Sequence, residues 1–92
     1  MENEWKKELA RLVASIRSAK EASELLGSLL TPAEHKELAK RWQIVKQLIE
    51  GVPQRAIRDK LSASIATVTR GSRELQYGNG IFQKFYERSK GR

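Results

Sequence analysis

The stretch Leu30-Thr31-Pro32-Ala33-Glu34 marks where a helix must begin, and Glu50-Gly51-Val52-Pro53 marks where it must stop. Thr31 can cap the helix N-terminus. Pro32 suits the first helical position, where its missing N–H is no loss, and Glu34 stands where a capping box needs its acid. Gly51 suits the residue that closes a helix, and Pro53 bars continuation. Between these signals Leu38, Trp42, Val45, Leu48 and Ile49 recur at helical spacing. A long helix from about 32 to 50, with that stripe buried, is the predicted centrepiece.

The rest of the chain reads as helix too. Alternating β-branched runs, which strands would require, do not occur in it. Trp5, Leu9, Leu12, Val13 and Ile16 form an amphipathic stripe on a first helix over roughly 3–18. A second helix over 21–29 carries Leu25, Leu26, Leu29 and Leu30. Short helices over 54–61 and 65–76 follow the central one. Tyr77-Gly78-Asn79-Gly80 forms a turn, and a last helix over 81–89 carries Ile81, Phe82, Phe85 and Tyr86. The expected class is therefore all-α with six helices. The expected organisation is a single helical domain over 1–92, in which 1–50 and 81–92 form a dimer core and 54–76 a reading head. A chain of 92 residues buries only about 60–65% of its unfolded surface, so a second copy would supply core that one chain lacks. The alternative is that the first two helices pack only on the chain's own third helix.

Charge narrows the partners. The net charge is +7 and the isoelectric point about 10.1. Residues 1–50 hold nine Lys and Arg against eight Asp and Glu, whereas residues 51–92 hold nine against three. A basic C-terminal half suits a polyanion such as nucleic acid, or an acidic surface. The chain has no cysteine, and His35 is its single histidine, so neither a disulfide framework nor a metal site is expected. Paired carboxylates in a pocket and nucleophile–base pairs are also missing from the pattern, which argues against an enzyme. No run approaches the ~18 apolar residues of a membrane span, and Met1 to Ala10 does not read as a signal peptide. A cytoplasmic protein without membrane partners is expected.

The basic half contains the segment with chemistry in it. Gln54 to Arg70 reads as a helix-turn-helix, with Ile57, Leu61, Ile65 and Val68 as inward anchors. Ser64 suits the N-cap of the second helix. That helix, from Ile65 onward, is built of poor helix formers: Thr67 and Thr69 are β-branched, and Gly71 costs about 1 kcal/mol relative to Ala. Small residues nevertheless have a use, since they let a helix N-terminus approach a groove closely. Ser64, Ala66, Thr67 and Thr69 are expected to face outward, where hydroxyls bond phosphates or base edges. Arg55 and Arg58 flank the same face. Ser62 stands where a turn glycine is common, so a strained left-handed backbone costing about 1 kcal/mol is expected there. The same pattern also fits an ordinary helical hairpin with a solvated basic face.

The run "LLTPAEHKELAKRWQIVKQLIEG", followed by "QRAIRDKLSASIATVTRGS", resembles the Trp repressor family. The family's order is Leu-Thr-Pro-x-Glu, an Arg ten residues after the Thr, Gln-Arg, and then Ile-Ala-Thr-[Ile/Val]-Thr-Arg-Gly-Ser. Thr31, Arg41, Gln54-Arg55 and Ile65 to Ser72 match it in that order. The tail "RELQYGNGIFQKFYER" is similar to a Trp-repressor-like branch of the superfamily.

The resemblance implies an intertwined homodimer that represses transcription. L-tryptophan would act as corepressor on tryptophan biosynthesis or transport genes, with no other cofactor. Two arginines, matching Arg41 and Arg70, would sandwich the indole, a geometry that guanidinium planes favour. Leu30 and Thr31 would hold the amino acid's polar end, Val45 would line the pocket floor, and Thr67 and Gly71 would border it. Glu74 replaces one of the small polar residues after the Gly-Ser pair, one of which contacts the ligand's amino group. It offers a carboxylate to an ammonium or an ion pair to Arg70. For Arg41 the plainer reading is an ion pair with Glu37, and for Arg70 a phosphate contact. The implied contacts to a palindromic double-stranded DNA operator fall on Gln54, Arg55, Arg58, Ser64, Ile65, Ala66, Thr67, Thr69 and Arg73. The two reading heads would sit about one DNA turn, or roughly 34 Å, apart. Two alternatives stay open: a regulator of the same fold that ignores tryptophan, and a basic helical module that binds another protein.

Overall fold

The computed structural model describes residues 1–90, and every described element is a helix: α1 (Glu2–Ala14), α2 (Ala19–Leu29), α3 (Pro32–Ile49), α4 (Gln54–Leu61), α5 (Ile65–Tyr77) and α6 (Ile81–Lys90). Residues 91 and 92, the end of the expected dimer-core segment 81–92, lie outside the described residues. The chain divides into two compact units, Met1–His35 and the remainder from Lys36 onward.

In the first unit, the start of α3 forms the expected capping box. The Glu34 backbone N–H donates to Thr31 Oγ1 at 3.1 Å, and the Thr31 N–H donates to Glu34 Oε1 at 2.9 Å. The hydrogen bond from the Thr31 backbone N–H holds the Glu34 carboxyl below its usual 4.5, with the Thr31 hydroxyl adding to the effect. The predicted first helix is four residues too long. It stops at Ala14, where the Ser15 hydroxyl donates to the Leu12 carbonyl at 2.6 Å, and Ser18 turns extended to cap α2 through the Glu21 N–H. Two serines that bond the backbone locally thus break what the apolar period would have continued. The α1 stripe is not buried: Trp5 is 62% exposed, and Leu9, Leu12 and Val13 are exposed with it.

The second unit holds the core. Ile44, Ile57 and Val68, one residue each from α3, α4 and α5, are fully buried, with Leu48, Val52, Leu61 and Ala63 packed around them. Two anchors of the predicted helix-turn-helix, Ile57 and Val68, are therefore central. Ile65 is not an inward anchor. It is 48% exposed at the first position of α5, so only its assignment to the outward face agrees with its position. On α3 the buried stripe is rotated from the predicted one. Ile44 joins Val45 inside, whereas Leu38 is 45% exposed.

Turn chemistry connects these helices. α3 ends in a Schellman motif: the Val52 N–H reaches the Gln47 carbonyl at 3.0 Å, the Gly51 N–H reaches the Leu48 carbonyl at 3.1 Å, and Gly51 has φ +86°. α4 ends on Ser62 in the left-handed region, with φ 52° and ψ 39°, as its place where a turn glycine is common led one to expect. Lys40 Nζ donates to the Ser62 carbonyl at 3.3 Å and ties that strained turn to α3. After α5, Asn79 Oδ1 accepts from the Ile81 N–H at 3.1 Å and starts α6. Gln83 then bonds the Leu75 carbonyl at 3.2 Å, and the Tyr86 hydroxyl bonds Glu50 Oε2 at 3.1 Å, so α6 is fastened to the ends of α5 and α3.

Candidate ligand cleft and nucleic-acid face

Gly71 explains how α5 comes to lie close on α3. A Cβ built on it would stand 3.3 Å from Leu48 Cδ1, 3.7 Å from Ile44 Cγ2 and 4.0 Å from Val45 Cγ2. The glycine is thus first a packing residue, a role the sequence reading did not give it. Beside this contact the two helices diverge around a cleft of about 390 Å³ lined by Arg41, Ile44, Val45, Thr67, Arg70, Gly71, Glu74 and Phe82. That volume lies near the lower end of small-molecule sites, roughly 300–1,000 Å³.

The lining has a distinct chemistry. Ile44, Val45 and Phe82 make it apolar, and Arg41 and Arg70 bring guanidinium groups from α3 and α5. Glu74, one turn beyond Arg70, adds a carboxylate. Arg41 Nε lies 3.9 Å from Glu37 Oε1, a long and exposed pair that leaves its terminal nitrogens available. Among the described residues neither Arg70 nor Glu74 forms an ion pair, so the Arg70–Glu74 pairing raised from the sequence is not formed. Two cations, one anion and an apolar floor can accommodate a flat zwitterion. Of the ligand residues read from the sequence, Arg41, Val45, Thr67, Arg70, Gly71 and Glu74 meet here. Leu30 and Thr31 belong to the first unit, where Leu30 follows α2 and Thr31 caps α3. Ile44 and Phe82 were missed. Ile44 carried a signal, since it lies three residues after Arg41. Phe82 carried none, because α6 is brought there by side-chain bonds distant in sequence.

The predicted nucleic-acid residues occupy α4, the turn and α5. Ser64 caps α5, accepting from the Thr67 N–H at 3.1 Å, and its Oγ lies 2.8 Å from the Thr67 hydroxyl. Both hydroxyls are thus engaged in holding the helix start, and Thr67 is half-buried at the cleft. The Thr69 hydroxyl donates to Gln54 Oε1 at 3.3 Å, which joins the first turn of α4 to α5. Arg58 reaches Asp59 Oδ1 through Nη2 and Nε, each at 3.0 Å. Arg55, Ile65, Ala66, Thr69 and Arg73 are exposed, and Arg55 and Arg73 form no ion pair among the described residues.

A short α4, a left-handed turn and a capped α5 crossing a shared core define a helix-turn-helix protein. Among the described residues no helix is long and apolar enough to cross a membrane. Comparison with known proteins adds the family. The profile of the family described as "Trp repressor protein" matches residues 3–90. The chain belongs to that family, whose members are transcription regulators and not enzymes. A "Trp operon repressor homolog" of Mannheimia succiniciproducens is 37% identical over 86 residues, covering 92% of this chain and 84% of the relative. A protein of the same description from Actinobacillus succinogenes is 44% identical over 73 residues, covering 78% and 71%. Another, from Chlamydia trachomatis serovar L2, is 33% identical over 78 residues, covering 84% and 83%. No solved structure matches the chain significantly.

Proposed function

We propose that the protein is a homodimeric repressor of the trp operon type, which binds a palindromic double-stranded DNA operator when its cleft holds L-tryptophan. The observation that carries the reading is the cleft at the back of α5. It places guanidiniums from two helices and an unpaired carboxylate around an apolar floor. An indole stacks on guanidinium planes, a carboxylate pairs with Arg, and an ammonium pairs with Glu74. The exposed α1 stripe supports a dimer, since a second copy would cover Trp5, Leu9, Leu12 and Val13. Of the expected dimer core, α1 supplies this stripe, and 54–76 form the reading head. The names of the relatives support the regulatory assignment.

Ligand bound between α3 and α5 favours the orientation of α5 that reads DNA, a population shift that can be no larger than the ligand's differential affinity for the two orientations. Ala66 and Thr69 keep the outward face of α5 thin enough for a major groove, while Arg55 and Arg73 meet phosphates. The test is calorimetric titration with L-tryptophan, paired with DNA binding in its presence and absence. Arg70→Ala should abolish tryptophan binding. Arg55→Ala should weaken DNA binding and leave tryptophan binding intact. Absence of heat at millimolar tryptophan, with DNA affinity unchanged, would leave a regulator of the same fold that ignores this ligand.

A further inference from the structure

α5 ends on a residue, Tyr77, that belongs neither to the cleft nor to the expected nucleic-acid contacts. Ala66, Thr69, Arg70, Arg73, Glu74 and Tyr77 line a shallow depression along its outward side. Their spacing of 3, 1, 3, 1 and 3 is that of one helix face. Side-chain length rises along this face, from Ala66 and Thr69 to Arg73 and Tyr77. Tyr77 is 76% exposed, and its hydroxyl has no hydrogen-bond partner among the described residues. It is the one aromatic side chain of α5, and it stands outside the core with an unused donor.

The helix rises about 1.5 Å per residue, so Tyr77 lies about 16 Å along the axis from Ala66. A major groove is only about 12 Å wide. With Ala66 at the groove floor, Tyr77 stands past the groove wall, beside the sugar–phosphate backbone. Arg73, one turn earlier, faces the same wall. Glu74 lies between them, but its carboxylate is drawn back over the turn after α5: Oε1 sits 2.8 Å from where a Gly78 Cβ would stand. The absence of a side chain at Gly78 leaves room for that carboxylate, which also borders the cleft.

We propose that Tyr77 and Arg73 form a phosphate grip for double-stranded DNA at the C-terminal end of α5, with Tyr77 donating its hydroxyl to a phosphate oxygen. This rests on the reading of α5 as the DNA-reading helix. The grip is indifferent to sequence, so the probe is a fluorescein-labelled duplex of about 30 base pairs and mixed sequence, long enough for two half-sites. Anisotropy titrations of the full chain with L-tryptophan, between about 50 and 200 mM salt, compare wild type, Tyr77→Phe and Arg73→Gln. Tyr77→Phe keeps the ring and should weaken binding by about tenfold, with the salt slope unchanged, because it removes a hydrogen bond and no charge. Arg73→Gln should lower the slope by about one for each reading helix engaged. Helical circular dichroism and tryptophan calorimetry should match wild type in both. Wild-type affinity in Tyr77→Phe, or an unchanged slope in Arg73→Gln, overturns the grip and leaves the function reading standing. Failure of the wild type to bind duplex overturns the reading itself, and the grip with it.

Discussion

Gly71→Ala separates two roles that one glycine holds, and its outcome can be worked from the contacts. The new Cβ meets Leu48 Cδ1 at 3.3 Å, a few tenths of an ångström too close, while Ile44 and Val45 stand at ordinary contact distance. Leu48 is only half-buried, and the offending atom is a terminal methyl, so it can yield. Overpacking then costs near the low end of its usual range, about 1 kcal/mol. Against this, alanine recovers about 1 kcal/mol of helix propensity inside α5. The two terms nearly cancel. The melting temperature should therefore move by less than the 4–8 °C that corresponds to about 1 kcal/mol in a domain of this size. The ligand has no such compensation. Gly71, Ile44 and Val45 also line the cleft, so a methyl added there narrows the space for an indole. A penalty of 1–3 kcal/mol corresponds to about a 5- to 150-fold loss of tryptophan affinity. Thermal melts by circular dichroism, at one fixed protein concentration because the stability of the proposed dimer would depend on it, give the first quantity, and calorimetry gives the second. A loss of stability above about 3 kcal/mol would mean that the α3–α5 contact is rigid. A stable variant with undiminished tryptophan binding would refute the placement of the ligand beside Gly71.

Three further outcomes follow from the same geometry. Ile57→Ala empties a fully buried site in a core whose largest enclosed side chains, among the described residues, are Ile44, Ile57 and Val68, and should cost about 2–4 kcal/mol in urea unfolding; a loss below about 1 kcal/mol would show that the site collapses freely. Ser62→Gly relieves a left-handed backbone but adds chain entropy to the unfolded state, so a net gain of about 0.5–1 kcal/mol is expected, and any destabilisation would show that the turn is not strained. The Glu34 carboxyl titrates below its ordinary 4.5 in the folded chain, so its stabilisation is full above that value and is lost as pH falls through the lowered folded value. Thr31→Ala should therefore flatten the acid limb of a melting-temperature profile taken between about pH 3 and 6, and an unchanged limb would remove the capping box from the account.

The sequence by itself determined what depends on neighbours within about four residues. The Thr31–Glu34 box and the Ser64 cap are decided by a side chain acting on nearby backbone, the Gly51 stop and the left-handed Ser62 turn by local backbone conformation, and the boundaries of α3 to α6 came out within a residue of expectation. Ser15 is the exception among local signals: its hydroxyl ended α1 where the apolar period ran on. The arginines and Gly71 of the cleft were legible through the family motif, whose spacing also brought Thr67 and Glu74 into view. Only the tertiary structure decided which way each stripe faces. An apolar stripe spans 100° or more of a helix, so its period leaves the centre undefined, and one residue's rotation exchanges an inside position for an outside one. That is why Ile44 is enclosed while Leu38 is open, and why Val68 is buried while Ile65 stands out. Phe82 reached the cleft for a related reason. The bonds from Gln83 to Leu75 and from Tyr86 to Glu50 seat α6, and the second of them joins residues 36 positions apart. No local pattern records a contact of that range, because it exists only once three helices have already found their places.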